Sequence, residues 1–285
     1  MPPLARLRSV NSRPLGVFDS GIGGLTVVRE LLRQLPDERL LYFGDTARLP
    51  YGTKSGETVT RFTLEAAEFL REHDIKALVV ACNTASAYAL PALAERLPIP
   101  VIGVIESGAA AALEATKNGK LGVIGTSATV ASRAYDRAVE GLARGKSVEI
   151  MSQACPLFVP LAEEGWTHHE VTRLVAREYL TPVRARGVDT LVLGCTHYPI
   201  LADVIQEAVG GGVRLVDAGA GTARAMRERL DAEGLRAPAA ANPPEHRIFL
   251  SDLLPAFRTT SERFLGQKLP PVEVVHWKDE RWVRV

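Results

Sequence analysis

The chain has little of what would tie it to a membrane, a metal or an oxidising compartment. Only three cysteines, Cys82, Cys155 and Cys195, occur in 285 residues. The odd number leaves one unpaired in any disulfide framework, so free thiols in a reducing compartment are expected. No apolar run approaches the roughly 18 residues of a membrane span. Arg6, Arg8 and Arg13 precede no apolar segment of the kind a signal peptide carries. Met1 to Pro14 therefore reads as a ragged start, and the cytoplasm is the expected location. An excess of one charge is missing too. The 34 basic and 33 acidic residues leave a net charge of +1, which offers nothing for electrostatic capture of nucleic acid or an anionic membrane. The glycine-rich segment Asp19 to Gly24 has neither the GxGxxG spacing of a dinucleotide fold nor the GK[ST] of a P-loop, so no nucleotide is indicated. Cys195 and His197 could be half of a zinc site, but no second paired motif accompanies them, and no metal is expected.

What is present is a regular alternation of short apolar runs and longer amphipathic ones. Hydrophobic residues make up 46% and charged residues 24%, ordinary for a globular protein, and the length suits two domains. Strands are expected at Leu15–Phe18, Leu40–Phe43, Ala77–Ala81 and Val101–Val104. Between and after them, helices are expected over Thr26–Gln34, Gly56–Glu72, Ala85–Arg96 and Gly108–Thr116. The pattern repeats with strands Lys120–Ile124, Val148–Met151, Thr190–Leu193 and Arg214–Val216, and helices Thr129–Leu142, His168–Arg186 and Ile200–Val209. Ala237 to Pro244 reads as a loop and Arg247–Leu250 as a late strand. Lys268 to Val285 reads as a terminal strand with an exposed, charged tail. Uniformly apolar strands separated by helices imply parallel sheets covered on both faces.

One internal echo stands out. Leu78-Val-Val-Ala-Cys82-Asn83-Thr84 is matched by Leu191-Val-Leu-Gly-Cys195-Thr196-His197, 113 positions later (195 minus 82). Each cysteine ends a buried strand and opens a helix, where free N–H groups and the helix dipole favour a thiolate. Ligands of open α/β sheets bind beyond the carboxyl ends of strands, so the two ends could face each other across a cleft. Cys155, before Pro156 in a loop, reads as a packing residue. His197, two residues after Cys195, reads as an acid–base neighbour of a thiol. Asp19-Ser20-Gly21-Ile22-Gly23-Gly24 follows the first strand: Asp19 is either a helix cap or a group for a substrate ammonium. Thr126 and Thr129 are helix caps by habit and a carboxylate cradle by chemistry. Pro50-Tyr51-Gly52 is a rigid turn or a binding rim. Glu163 and Glu164, taken alone, are solvated charges.

Seven blocks are specific enough to carry a resemblance. They are Gly16-Val-Phe-Asp19-Ser20-Gly-Ile-Gly-Gly-Leu-Thr26, Tyr42-Phe-Gly-Asp45-Thr-Ala-Arg48, Pro50-Tyr51-Gly52-Thr-Lys54 and Ala81-Cys82-Asn83-Thr84-Ala85. Gly122-Val-Ile-Gly125-Thr126, Cys155-Pro156-Leu-Phe-Val-Pro160-Leu-Ala-Glu163 and Gly194-Cys195-Thr196-His197-Tyr198-Pro199 complete the set. In these residues the chain resembles the aspartate/glutamate racemase superfamily, from about residue 15 to residue 265, with no departure at a motif position. The resemblance implies two similar open parallel-sheet α/β domains, related by a pseudo-twofold axis and facing across a cleft. The first would hold residues 1–107 and 222–285, the second residues 108–221. It implies that Cys82 and Cys195 are the catalytic acid–bases, with Asp19 assisting Cys82, and His197 with Glu163 assisting Cys195. Asp19, Ser20, Tyr51, Gly52, Asn83, Thr84, Thr196 and His197 would contact substrate, and Thr126 and Thr129 would help hold a carboxylate. Glu163 is preferred to Glu164 on the same ground.

The chemistry asks for such a set. Inverting an amino acid removes the α-proton from one face and returns one to the other, so two thiols on opposite walls solve the geometry. Preorganised donors must stabilise the charge that develops on the carboxylate. No lysine sits in a pyridoxal-phosphate setting, so no cofactor is expected. The expected function is racemisation of glutamate for peptidoglycan, with no nucleic-acid or membrane partner. A homodimer is compatible with the resemblance. The alternatives are racemisation of aspartate, which needs a shorter pocket, and a non-catalytic amino-acid-binding module on the same scaffold.

Overall fold

The structure is a computed structural model that describes residues 10–239, 241–253 and 257–284. The chain alternates strand and helix through β1 (Leu15–Asp19), α1 (Leu25–Gln34), β2 (Leu40–Gly44), α2 (Gly56–Glu72), β3 (Ala77–Val80), α3 (Asn83–Arg96), β4 (Val101–Gly103) and α4 (Ile105–Ala115). A second series follows: β5 (Lys120–Gly125), α5 (Ser127–Ala131), α6 (Ala134–Leu142), β6 (Glu149–Ala154), α7 (Phe158–Glu163), α8 (Glu170–Ala185), β7 (Thr190–Gly194), α9 (Ala202–Val209), β8 (Arg214–Val216) and α10 (Ala218–Ala232). The chain ends with β9 (Arg247–Leu250), α11 (Phe257–Leu265), β10 (Val272–Lys278) and β11 (Arg281–Arg284). No helix among the described residues is long and apolar enough to cross a membrane.

Two sheets result. One has seven strands in the order β11-β10-β9-β2-β1-β3-β4, the other four in the order β6-β5-β7-β8. The order β2-β1-β3-β4 recurs as β6-β5-β7-β8, so the two halves of the chain build the same unit twice. All pairings are parallel except β10 with β11. β1, β3 and β7 are buried at every residue, as a parallel sheet covered by helices on both faces requires. This is the two-domain α/β architecture that the pattern of apolar runs implies.

Register places the site. Asp19 pairs with Gly44 and Phe18 with Val80, which brings Asp19 and Cys82 to the carboxyl edge of the first sheet. Gly125 pairs with both Ala154 and Gly194, so Thr126, Cys155 and Cys195 share the corresponding edge of the second.

Several expectations differ from the structure. The helix expected over Thr129–Leu142 is two, because Arg133 between α5 and α6 adopts a left-handed conformation (φ 53°). α7, α10 and α11 lie where no helix was expected. α10 buries mainly small side chains, Ala218, Gly219, Thr222 and Ala223 among them, so its apolar stripe carries little periodic signal. The terminal segment is not a strand with an exposed tail. β10 and β11 form a hairpin whose turn residues Asp279 and Glu280 both have positive φ (50° and 59°), as a tight two-residue hairpin demands. Trp282 of β11 is buried and packs edge-on against Phe43, with ring centroids 5.1 Å apart. The charged residues lie on the outer side, and the indole does the anchoring.

At the opposite end of the first sheet, Lys76 and Glu38 form a buried pair, Nζ to Oε2 2.6 Å, with side chains 0% and 1% exposed. Lys76 Nζ also donates to the carbonyls of Asn11 and Leu235, each at 2.7 Å, and Glu38 accepts from Ala237 N at 2.8 Å. The cluster joins the start of β3 to segments far apart in sequence. Removing Lys76 leaves the buried Glu38 with Arg236, 4.0 Å away, and losing one partner of a buried pair costs about 3–5 kcal/mol. Lys76→Met should therefore lower the urea midpoint sharply, and combining it with Glu38→Leu should restore most of the loss. A single variant as stable as the parent would contradict the pairing.

Candidate active site

Cys82 caps α3: its sulfur accepts from Ala85 N at 3.4 Å and its thiol donates to Ser20 Oγ at 3.4 Å. Cys195 follows β7 and enters a short 3-10 turn, Tyr198–Leu201. Its sulfur lies 3.8 Å from His197 Nδ1, and His197 Nε2 lies 3.1 Å from Glu163 Oε1. Both cysteines line one cavity of about 100 Å³, together with Ser20, Tyr51, Gly52, Asn83, Thr84, Thr126, Thr196 and His197. The walls come from both sheets.

Other predicted residues stand behind this lining. Asp19 is fully buried; its Oδ2 accepts from Gly21 N at 2.9 Å and its Oδ1 from Thr196 Oγ1 at 3.5 Å. Thr129 closes a triangle of hydroxyls with Thr84 and Thr126, whose edges are 2.9, 3.0 and 3.0 Å. Since Thr84 belongs to the first sheet's α3, Thr126 caps α5 and Thr129 lies within it, the triangle bridges the two sheets. Glu163 is partly exposed behind His197. Tyr51 is held from below, its hydroxyl donating to Asp45 Oδ2 at 2.5 Å, while Arg48 Nε donates to the same oxygen at 2.6 Å.

Leu49, Thr53, Pro156, Val159 and Pro160 also line the cavity and were not singled out from the sequence as contacts. Pro156 and Pro160 fall within one of the family-like blocks, so a signal for them existed. Cys155 is 0% exposed, with its thiol 3.7 Å from Gln153 O, and is absent from the lining.

The electrostatics differ on the two sides. Burial, and then the nearby Asp19, push the Cys82 thiol up to about 12, so it carries its proton at neutral pH. Burial alone would lower His197, but its hydrogen bonds with Cys195 and Glu163 outweigh that and raise it to about 10. His197 is therefore an imidazolium between sulfur and carboxylate. Burial raises Asp19, opposed by the positive His197 and by the N–H groups of Gly21 and Gly24. Donors, an imidazolium and two sulfurs converging on one small space suit proton transfer at an acidic C–H beside a carboxylate.

The family model for Asp/Glu/hydantoin racemases matches residues 15–226. A glutamate racemase of Geobacter metallireducens is 54% identical over 269 residues, covering 94% of this chain and 98% of that protein. Among solved structures, glutamate racemase isoform RacE1 of Bacillus anthracis aligns with a TM-score of 0.87 at 41% identity, over 93% of this chain and 98% of its own. A Francisella tularensis glutamate racemase solved in complex with D-glutamate gives 0.87 at 38% identity, with coverages of 93% and 98%.

The raised His197 has a consequence for stability. A group that holds its proton more tightly when folded stabilises fully below its unfolded value, here 6.5, and loses that contribution as pH rises through about 10. The stability gap between the parent and His197→Asn, measured by urea unfolding from pH 6 to 10.5, should therefore shrink across that window. A gap independent of pH would exclude a protonated His197.

Proposed function

We infer, from the premise that the chain belongs to the Asp/Glu/hydantoin racemase family, a two-base racemisation in which Cys82 and Cys195 exchange protons with one carbon atom. The chain is a glutamate racemase, an isomerase that interconverts L-glutamate and D-glutamate and supplies D-glutamate for peptidoglycan. The observation that carries the two-base reading is the shared cavity: Cys82 and Cys195 end strands of different sheets yet line the same small space.

In the L-to-D direction, the Cys195 thiolate takes the α-proton. The C–H bond breaks, its electron pair moves onto the carbon and its carboxylate, and an S–H bond forms. Cys82 then gives its proton to the opposite face and is left as thiolate. The roles reverse for D-glutamate. Cys82 starts as the acid because burial keeps its thiol protonated. Cys195 starts as the base beside the protonated His197, whose Nδ1 faces the sulfur and whose Nε2 is held by Glu163. Asp19 assists Cys82 from behind. Positioned proton transfer contributes only about 10²–10⁴-fold. The larger share falls to donors aimed at the developing carboxylate charge, Asn83, Thr84, Thr126 and Thr196, with Thr129 behind them. Ser20, Tyr51 and Gly52 complete the substrate contacts.

The strands of each sheet fall on a division into residues 1–107 with 222–285, and residues 108–221, which we take as the two domains. Three free thiols suit a reducing compartment, and we place the protein in the cytoplasm.

Circular dichroism of the purified protein with L-glutamate should decay to zero, since enantiomers have equal free energy in water. Aspartate should give far slower decay. In deuterated solvent, label should enter the α-position. Cys82→Ala or Cys195→Ala should each abolish racemisation, while Cys155→Ala, outside the cavity, should keep most of it. An unchanged rate in either of the first two variants would end the two-base assignment.

A further inference from the structure

Asn83 opens α3 directly after Cys82 and lines the cavity. Its amide has two edges of opposite sense: Nδ2 donates and Oδ1 accepts. Which edge faces the cavity decides whether Asn83 attracts or repels a carboxylate. The answer comes from the other domain. Tyr135 of α6 is 2% exposed, and its hydroxyl donates to Asn83 Oδ1 at 2.7 Å. Its ring is seated among Ile105, Ala109, Val123 and Val192, and two glycines make room for it. A Cβ on Gly108 would lie 3.0 Å from the Tyr135 hydroxyl, and one on Gly194 would lie 3.1 Å from the ring. Burial raises the phenol above its ordinary value, so it remains a donor throughout the working range.

We propose that Tyr135 is a positioning residue for the racemisation: by occupying Oδ1 it turns the Nδ2 of Asn83 toward the cavity, where that group donates to the α-carboxylate of the substrate. This deepens the racemase reading of the same site and rests on it. Without the phenolic hydroxyl, the amide is free to rotate by half a turn and present its oxygen to the carboxylate. The hydrogen bond also spans the two sheets, so the second domain sets the polarity of a donor that the first domain carries.

The test is steady-state racemisation of L-glutamate by the parent, Tyr135→Phe, Asn83→Ala, their combination, and Asn83→Asp. Tyr135→Phe keeps the buried ring and should lower kcat/KM about tenfold or more, the range for losing a hydrogen bond to a charged group, through kcat as well as KM, because Asn83 serves both the bound carboxylate and the charge that develops on it. The combined variant should be no worse than Asn83→Ala alone, because both changes remove one function. Asn83→Asp puts a carboxylate oxygen where the N–H should be, and its KM should exceed that of Asn83→Ala. A parental kcat/KM in Tyr135→Phe, additive losses, or an Asn83→Asp variant that matches the parent would each overturn the proposal. Asn83→Asp decides the matter even if Tyr135→Phe does not fold. If the parent fails to turn over glutamate, the racemase reading fails, and calorimetric affinities of the same variants for glutamate still test the orientation of Asn83.

Discussion

Two turns from different domains lie in direct contact, and the rest of the site hangs on that contact. Thr26 Oγ1, at the start of α1, lies 3.3 Å from the carbonyl oxygen of Thr196. A Cβ on Gly23 would lie 2.4 Å from Thr196 Oγ1 and 2.5 Å from His197 Nδ1. On the opposite side of the cavity, a Cβ on Gly52 would lie 2.6 Å from the Cβ of Thr126. Glycine is required at both places because any side chain would wedge the domains apart and carry one cysteine away from the other. The close approach also leaves little room for water, which strengthens every charge interaction inside.

Within that space the two thiols have opposite surroundings. Cys82 has the buried Asp19 nearby, and burial keeps it protonated. Cys195 has the imidazolium of His197, backed by the Glu163 carboxylate. A symmetrical fold thus carries an unsymmetrical pair, one sulfur held protonated and the other beside a cation. The hydroxyls of Thr84, Thr126 and Thr129 and the Tyr135–Asn83 bond add donors that neither domain positions by itself.

Much of the scaffold was legible because the strands are short, uniformly apolar and bounded by helix starts. Leu78 to Thr84 and Leu191 to His197 announce themselves as strand ends, each with a cysteine at the turn. α10 was not legible, since the alanine, glycine and threonine that pack against α1 and α4 make its apolar stripe weak. Trp282 was hidden among charges, because its burial depends on Phe43 lying beneath it, some 240 positions earlier. Glu163 and Glu164 are indistinguishable as letters. The last turn of α7 directs Glu163 to His197, and that geometry is a property of the folded chain.

Composition, charge balance and the order of apolar runs by themselves determined the fold class, the repeated unit and the strand ends where cysteines sit, because period and turn chemistry are local properties. Only the tertiary structure decided which side chains meet across the cleft. It set which carboxylate backs His197, which edge of the Asn83 amide is free, and that the two sulfurs share one cavity. Those choices depend on distances between residues more than 30 positions apart in sequence, and such distances exist only once both sheets have packed against each other.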